Sequence, residues 1–220
     1  MKPLIIFGTH QLSSLAWHCL THDLQRPVVG FTVDQAFCLN EHHEGLPLVP
    51  FEQVEKVFNP AEYEMLLPLG WTKMNALRGD RCAAAKEKGY QLASYMSSRA
   101  SLWPDTIVGE HCLIYEGVIL QSFVQLGNNV IVRCGANIGH HTVIGDHCFI
   151  AASVVTGGGV KISPHCFIGL GAVIKNRVRL GEGCFIGAGA VVIADTEPGA
   201  VYVGNPARKL AKSAMDVTGG

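Results

Sequence analysis

The chain has 220 residues, 48% hydrophobic and 16% charged, with a formal net charge of −1. That length and apolar content suffice for a substantial core in one or two domains. No basic patch or run of like charge is present, which argues against nucleic acid as a partner. The N-terminal apolar run, Leu4 to Phe7, is too short for a signal peptide or a membrane span, so a cytoplasmic protein without membrane contact is expected.

Residues 1–94 read as strands alternating with helices. KPLIIFG (2–8) is a buried strand closing on glycine, and residues 11–22 carry helical spacing. PVVGFTVD (27–34) is a second strand, residues 35–50 are loop-rich, and 51–58 form a short helix. YEMLLPLG (63–70) is a third strand, 72–88 are helical, and a short strand lies near 91–95. Alternation of this kind implies a small parallel sheet, half of a nucleotide-binding α/β fold. Ligands gather at the carboxyl ends of such strands, here Gly8-Thr9-His10, Asp34 and Gly70. No GxGxxG fingerprint accompanies them, so ordinary strand punctuation explains the same residues.

Residues 107–196 repeat every six and, more strongly, every eighteen residues. Every sixth residue from Val108 to Val192 is Val, Ile or Leu, except Thr156. Four places after each, from Cys112 to Thr196, stands Ala, Val, Cys or Thr. Such a hexapeptide period marks a parallel β-helix: three short strands to a coil, a large aliphatic filling the interior, a small residue where the wall bends. Glycine follows the residue of this column at 109, 127, 139, 145, 157, 169, 181 and 187, where turns need unusual dihedrals or close backbone approach. The coils are 107–124, 125–142, 143–160, 161–178 and 179–196, a stack about 24 Å tall at about 4.8 Å per coil. Met96 to Thr106 keeps the register as a partial coil, giving a repeat domain over 95–203. Residues 204–220 read as a turn, a short helix over 207–214 and a tail.

The chain has eight cysteines and no CxxC. Cys112, Cys148, Cys166 and Cys184 all fall on the small inward position and read as buried thiols rather than disulfides or metal ligands. His111, His147 and His165 share one coil position and read as a solvated ladder, short of a complete zinc site.

One corner departs from this monotony. His140 occupies the coil position that holds Gly158 one coil on, within Gly157-Gly158-Gly159. Three glycines bare the backbone beside an imidazole. A thioester carbonyl polarised by backbone N–H groups, next to a base, is the chemistry such a corner suits. Thr156 falls in the same corner. His141 either orients His140 or is simply solvated.

These residues resemble a family. The hexads, the segment IGHHTVIGDHCFI and the terminal VGNPARKL, over about residues 3–210, are similar to the bacterial sugar acetyltransferases related to the sialic-acid O-acetyltransferase. Their relatives acetylate nucleotide-linked amino sugars for surface polysaccharides. The resemblance implies a Rossmann-like domain followed by a left-handed parallel β-helix, a homotrimer with sites at subunit interfaces, and acetyl-CoA as co-substrate without metal. It makes His140 the catalytic base, with His141 beside it, and Gly158 the thioester-facing glycine. Leu170, Gly171, Ala188 and Gly189 become the pantetheine wall, and Arg208 and Lys209 neighbours of the CoA phosphates. Gly8, Thr9, His10, Asp34 and Gly70 become the nucleotide-sugar site. The chain departs from the family at His141, where an acidic residue is usual, and at Gly8-Thr9-His10, where the usual loop is richer in glycine. Sugar O-acetylation is the near alternative. Of another class are a metal enzyme like the γ-class carbonic anhydrases and a non-catalytic trimeric binding module. The carbonic anhydrases need two histidines five apart on one coil, whereas His140 and His141 stand seven and six before His147.

Overall fold

The computed structural model describes residues 2–219. The chain folds as two compact units. One comprises the chain up to Gly70 together with Arg78–Ser94, and the other Trp71–Leu77 together with the chain from Tyr95 onward. Among the described residues no helix is long and apolar enough to cross a membrane.

In the first unit β1 (Leu4–Phe7) is central, buried at all four residues. It pairs in parallel with β2 (Val28–Val33) and with β5 (Glu64–Leu66). Outside them, β4 (Leu46–Pro50) and β6 (Gln91–Leu92) extend the parallel sheet, and β3 (His42–His43) adds an antiparallel edge to β4. Burial on both faces explains why β1 is an unbroken apolar run rather than an alternating one. Helix α1 (Gln11–His22) buries Ser13, Ala16 and Leu20, one face of a 3.6-residue period. Because β1, β2 and β5 are parallel neighbours, their carboxyl ends open on one edge, where Gly8 and Asp34 stand.

The helix expected over 72–88 is observed at Ala76–Glu87. Lys73, Met74 and Asn75 all take positive φ, which a right-handed helix does not tolerate. Contacts within the second unit hold this segment. The Trp71 ring lies 5.1 Å from Phe149 and 4.8 Å from Phe167. Buried Asn75 donates through Nδ2 to the carbonyls of His165 (3.1 Å) and Cys166 (3.2 Å).

The second unit is a hexapeptide coil, the left-handed parallel β-helix expected. Two-residue strands pair in parallel with the strand eighteen residues on, without a slip. Ile119, Asn137, Val155, Val173 and Val191 form one such row. The partial coil is present, with Tyr95–Met96 and Ser101–Leu102 pairing onto the first full one. Both inward columns form one continuous core. The cysteines of the small column are buried, and Cys148 and Cys166 donate through Sγ to the carbonyls of Ser163 and Gly181 in the next coil. The hydrogen bond with Cys148, with burial, holds the Cys166 thiol above its ordinary value, so it behaves as a small, inert residue.

The glycines after the large aliphatics serve close approach, not unusual dihedrals. A Cβ on Gly139 would sit 2.5 Å from the Gly157 carbonyl oxygen. Positive φ falls two residues later, at a turn position filled by His111, Phe123, Asn129, His141, His147, Ser153, His165 and Arg177 as well as by glycines.

The histidine ladder is not solvated throughout. His111 and Asn129 are buried, His111 Nδ1 lies 3.0 Å from Asn129 Oδ1, and Asn129 Nδ2 lies 2.8 Å from His147 Nδ1. The His147 and His165 rings stack at 4.8 Å.

The tail differs from expectation. Residues 208–213 form a strand antiparallel to Ala200–Val203, and the helix follows at Ala214–Thr218. Ala200–Val203 leaves an open edge that the returning chain satisfies. The helix waits for its first start signal, the capping box of Ser213 and Asp216.

Candidate active site

The corner turns at 121–124, 139–142, 157–160 and 175–178 stack one above the next. Hydrogen bonds between coils fix the turn that carries His140. Its N–H donates to Gln121 Oε1 (3.0 Å), and Gln121 Nε2 donates to Asn137 Oδ1 (3.2 Å). Its carbonyl accepts from Gly159 N (2.8 Å), and His141 N donates to the Ser122 carbonyl (3.1 Å). Thr156, the break in the aliphatic column, is buried and accepts the Gly139 N–H at 2.9 Å. A polar atom there anchors the residue just before His140, at the cost of one aliphatic contact.

His140 and Gly158 lie on one wall, as the coil positions require. A Cβ on Gly158 would come within 2.5 Å of His140 Cε1, with Nε2 equally crowded. The imidazole thus rests over the one residue whose lack of a side chain admits it. The Gly158 N–H has no hydrogen-bond partner among the described residues. Beside the pair opens a groove of about 750 Å³ lined by His140, His141, Gly158, Gly159, Lys175, Asn176 and Arg177. Two cations and no carboxylate among those residues give it a field that favours anionic or electron-rich groups. His140 Nδ1 lies 3.1 Å from His141 Nδ1, and the His141 ring tilts against Phe123 at 4.5 Å.

Of the site residues read from the sequence, the structure brings His140, His141 and Gly158 together. Leu170, Gly171, Ala188 and Gly189 stand on the corner that precedes the His140 corner in each coil, stacked on one another through Gly189 N to the Leu170 carbonyl (2.8 Å). They do not line the His140 groove within one chain. Arg208 and Lys209 open the last strand, exposed, and Lys209 Nζ is 2.5 Å from Glu197 Oε2, which raises the Lys209 pKa.

Gly8, Thr9, His10 and Asp34 stand at the strand ends of the first unit, and Gly70 four residues past β5. The α1 N-terminus at His10 has no side-chain cap and no acidic residue in its first turn, a helix end whose field favours an anion, although its Ser13 and Ser14 amides donate to the His10 carbonyl. The Asp34 carboxylate is paired with Arg81 at 2.6 Å, and the Gly70 carbonyl accepts from Arg78 Nη1 at 2.9 Å.

The sequence reading missed Lys175, Asn176 and Arg177. The signal was there: they stand eighteen residues after the glycine triplet and so belong to the same wall.

Comparison with known proteins fits this picture. Residues 123–158 and 159–194 match the model of the bacterial transferase hexapeptide (six repeats). No curated protein matches the chain by sequence. Among solved structures, the acetyltransferase domain of PglB from Neisseria gonorrhoeae superposes with a TM-score of 0.86 at 22% identity, covering 96% of this chain and 100% of that one. PerB from Caulobacter crescentus, in complex with CoA and GDP-perosamine, gives 0.85 at 21% over 96% and 98%. WeeI from Acinetobacter baumannii gives 0.83 at 23% over 96% and 100%. At such identities these likenesses establish the fold over nearly the whole chain.

Proposed function

We propose that the protein is an acetyl-CoA-dependent acetyltransferase that acylates the amino group of a nucleotide-linked amino sugar for surface polysaccharide. The observation that carries this reading is His140 Nε2 standing over the bare backbone of Gly158, in a fold shared along its length with PglB and PerB.

The chemistry follows from what each group can do. His140 Nε2 takes a proton from the acceptor nitrogen as that nitrogen attacks the thioester carbonyl carbon. General-base help of this kind is worth roughly 10²–10⁴ in rate. The unpartnered Gly158 N–H donates to the carbonyl oxygen as charge develops there, a contribution of about 10²–10³ for one well-placed donor. The carbon–sulfur bond breaks, and the proton held on His140 goes to the departing thiolate. Lys175 and Arg177 favour the electron-rich groups in the groove. The nucleotide part of the acceptor is assigned to Gly8, Thr9, His10, Asp34 and Gly70, beside the uncapped N-terminus of α1.

A homotrimer completes the site in this reading. Leu170, Gly171, Ala188 and Gly189 form a smooth wall suited to pantetheine, but on another corner. A neighbouring copy brings such a wall to the His140 groove. The outward faces are compatible with this: Ile119, Val155 and Val173 are exposed in a row that also holds Asn137, and Ile107 and Val143 in a row that also holds Gln125. Exposed apolar side chains grouped on one face suit an interface between copies.

O-acylation uses the same geometry with a hydroxyl acceptor. Among the described residues of one chain no group of three or more His, Cys, Asp or Glu is placed to hold an ion; metal analysis of the purified protein separates the metal-enzyme alternative. The test is a panel of nucleotide-linked amino sugars and their hydroxyl analogues incubated with acetyl-CoA. Thiol release with an acetylated amino sugar as product is expected. Acetylation of the hydroxyl analogues alone would replace the N-transfer reading, and no transfer to any acceptor would overturn the transferase reading.

A further inference from the structure

The groove holds His140 with an imidazole rather than a carboxylate. His140 Nδ1 and His141 Nδ1 face each other at 3.1 Å. Two such nitrogens cannot both carry protons, and two bare ones repel, so one donates and the other accepts. The direction follows from the task of the outer nitrogen. For His140 Nε2, the atom over Gly158, to receive a proton, it must be bare, and the proton of the neutral ring must sit on Nδ1. His141 Nδ1 is then the acceptor, and the His141 proton sits on its Nε2.

We infer that His141 is a neutral positioning residue: by accepting the hydrogen bond of His140 Nδ1–H it fixes the tautomer in which His140 Nε2 is the base. The inference rests on the acetyltransferase reading of the same site. Both rings are held for the purpose. His141 takes φ 59°, its N–H is bound to the Ser122 carbonyl, and its ring tilts against Phe123. Phe123 in turn has its N–H on Asp105 Oδ2 at 2.9 Å. His140 is fixed through Gln121. The charged groups on the stacked coils around His141 are Lys175 and Arg177 in the groove, Lys161 on the strand paired with Val143, and Asp105 two coils before, engaged with the Phe123 amide.

That setting explains why the partner must stay neutral. Protonated His141 has no lone pair for His140, and its charge, added to Lys175 and Arg177, opposes the charge His140 gains with the acceptor's proton. In the transfer the acceptor proton moves to His140 Nε2, the new carbon–nitrogen bond forms, the carbon–sulfur bond breaks, and the thiolate leaves with that proton. His140 returns to its Nδ1–H form, and the His141 proton never moves.

The test reads the tautomers directly. Long-range ¹H–¹⁵N correlation spectra of the whole ligand-free protein should show His140 protonated at Nδ1 and bare at Nε2, and His141 the reverse. The opposite assignment overturns the inference. Three variants add kinetics. His141→Asn keeps an acceptor, and Asn129 shows that this turn position accepts asparagine. His141→Phe removes the acceptor, and Phe123 shows that the position accepts phenylalanine. The Asn variant should keep kcat within about threefold. The Phe variant should lose about tenfold or more, part of the 10²–10⁴ a general base supplies, with the acetyl-CoA KM within about twofold. His141→Asp should move the acid limb of kcat to higher pH, because an anion favours the imidazolium form of His140. Equal kcat in the Phe and Asn variants, or an unmoved acid limb in the Asp variant, refutes the role. Predicted tautomers without turnover on any acceptor would leave the dyad standing and remove the transferase reading. Turnover with the opposite tautomers would do the reverse.

Discussion

Replacing Gly158 by alanine is the sharpest perturbation of the site short of removing its base. The added Cβ would stand 2.5 Å from His140 Cε1, against about 3.4 Å for ordinary contact, so the ring must retreat by about 1 Å or leave for another rotamer. His140 is exposed, so it yields at little cost to the fold. Gly158 itself is not at positive φ, so alanine brings no backbone strain. Stability should therefore change by less than about 0.5 kcal/mol. Catalysis should not escape, because a misplacement of about 1 Å in a reacting group costs on the order of 10²-fold. The assay is initial-rate thiol release at saturating acceptor, alongside thermal unfolding of the same preparation. A loss of about 10² in kcat with an unmoved melting temperature is expected. A kcat within threefold of wild type would mean that the ring over Gly158 is not the working position of the base.

Other consequences concern the scaffold. Gly139→Ala should prevent a soluble fold, because its Cβ meets the Gly157 backbone at 2.5 Å, whereas Gly171→Ala, whose Cβ meets nothing within 4 Å, should stay soluble despite its positive φ. Solubility and circular dichroism of the pair decide it. Ile150→Ala opens a hole in the fully buried column and should lower stability by about 2–5 kcal/mol, read as a lower urea midpoint at unchanged slope. The hydrogen bond from Lys88 holds the Glu55 carboxyl below the ordinary glutamate range. A lowered folded-state value stabilises above the unfolded value and fades as pH falls through the folded one. Glu55→Gln should thus cost up to about 1 kcal/mol at neutral pH, small because the pair is partly exposed, and nothing once Glu55 is protonated in both states. Urea unfolding at pH 7 and at acid pH compares the two, and an equal difference at both would refute the assignment.

What was legible in the sequence was whatever a fixed period dictates. Each inward residue of the coil repeats at six, and each vertical neighbour at eighteen, so the core and the meeting of His140 with Gly158 followed from counting. The same counting, carried one coil further, reaches Lys175, Asn176 and Arg177. Residues 71–75 were not legible, because helical spacing there is overruled by Trp71 and Asn75 binding a coil face about ninety positions later. The tail was not legible either. Residues 208–213 become a strand only because Ala200–Val203 offers them an edge. Glycine after each large aliphatic was visible, but sequence alone did not separate close approach from positive φ, which the turn assigns to different residues. The His111–Asn129–His147 hydrogen bonds depend on burial, which identical coil positions do not reveal.

Every other assignment depends on His140 acting as the base of an acyl transfer on this wall. The most direct measurement is transfer by His140→Ala from acetyl-CoA to the accepted sugar, with CoA affinity measured on the same sample. A loss of about 10²–10⁴ in kcat is expected, with the CoA dissociation constant within a few-fold of wild type. Full turnover in that variant would contradict it.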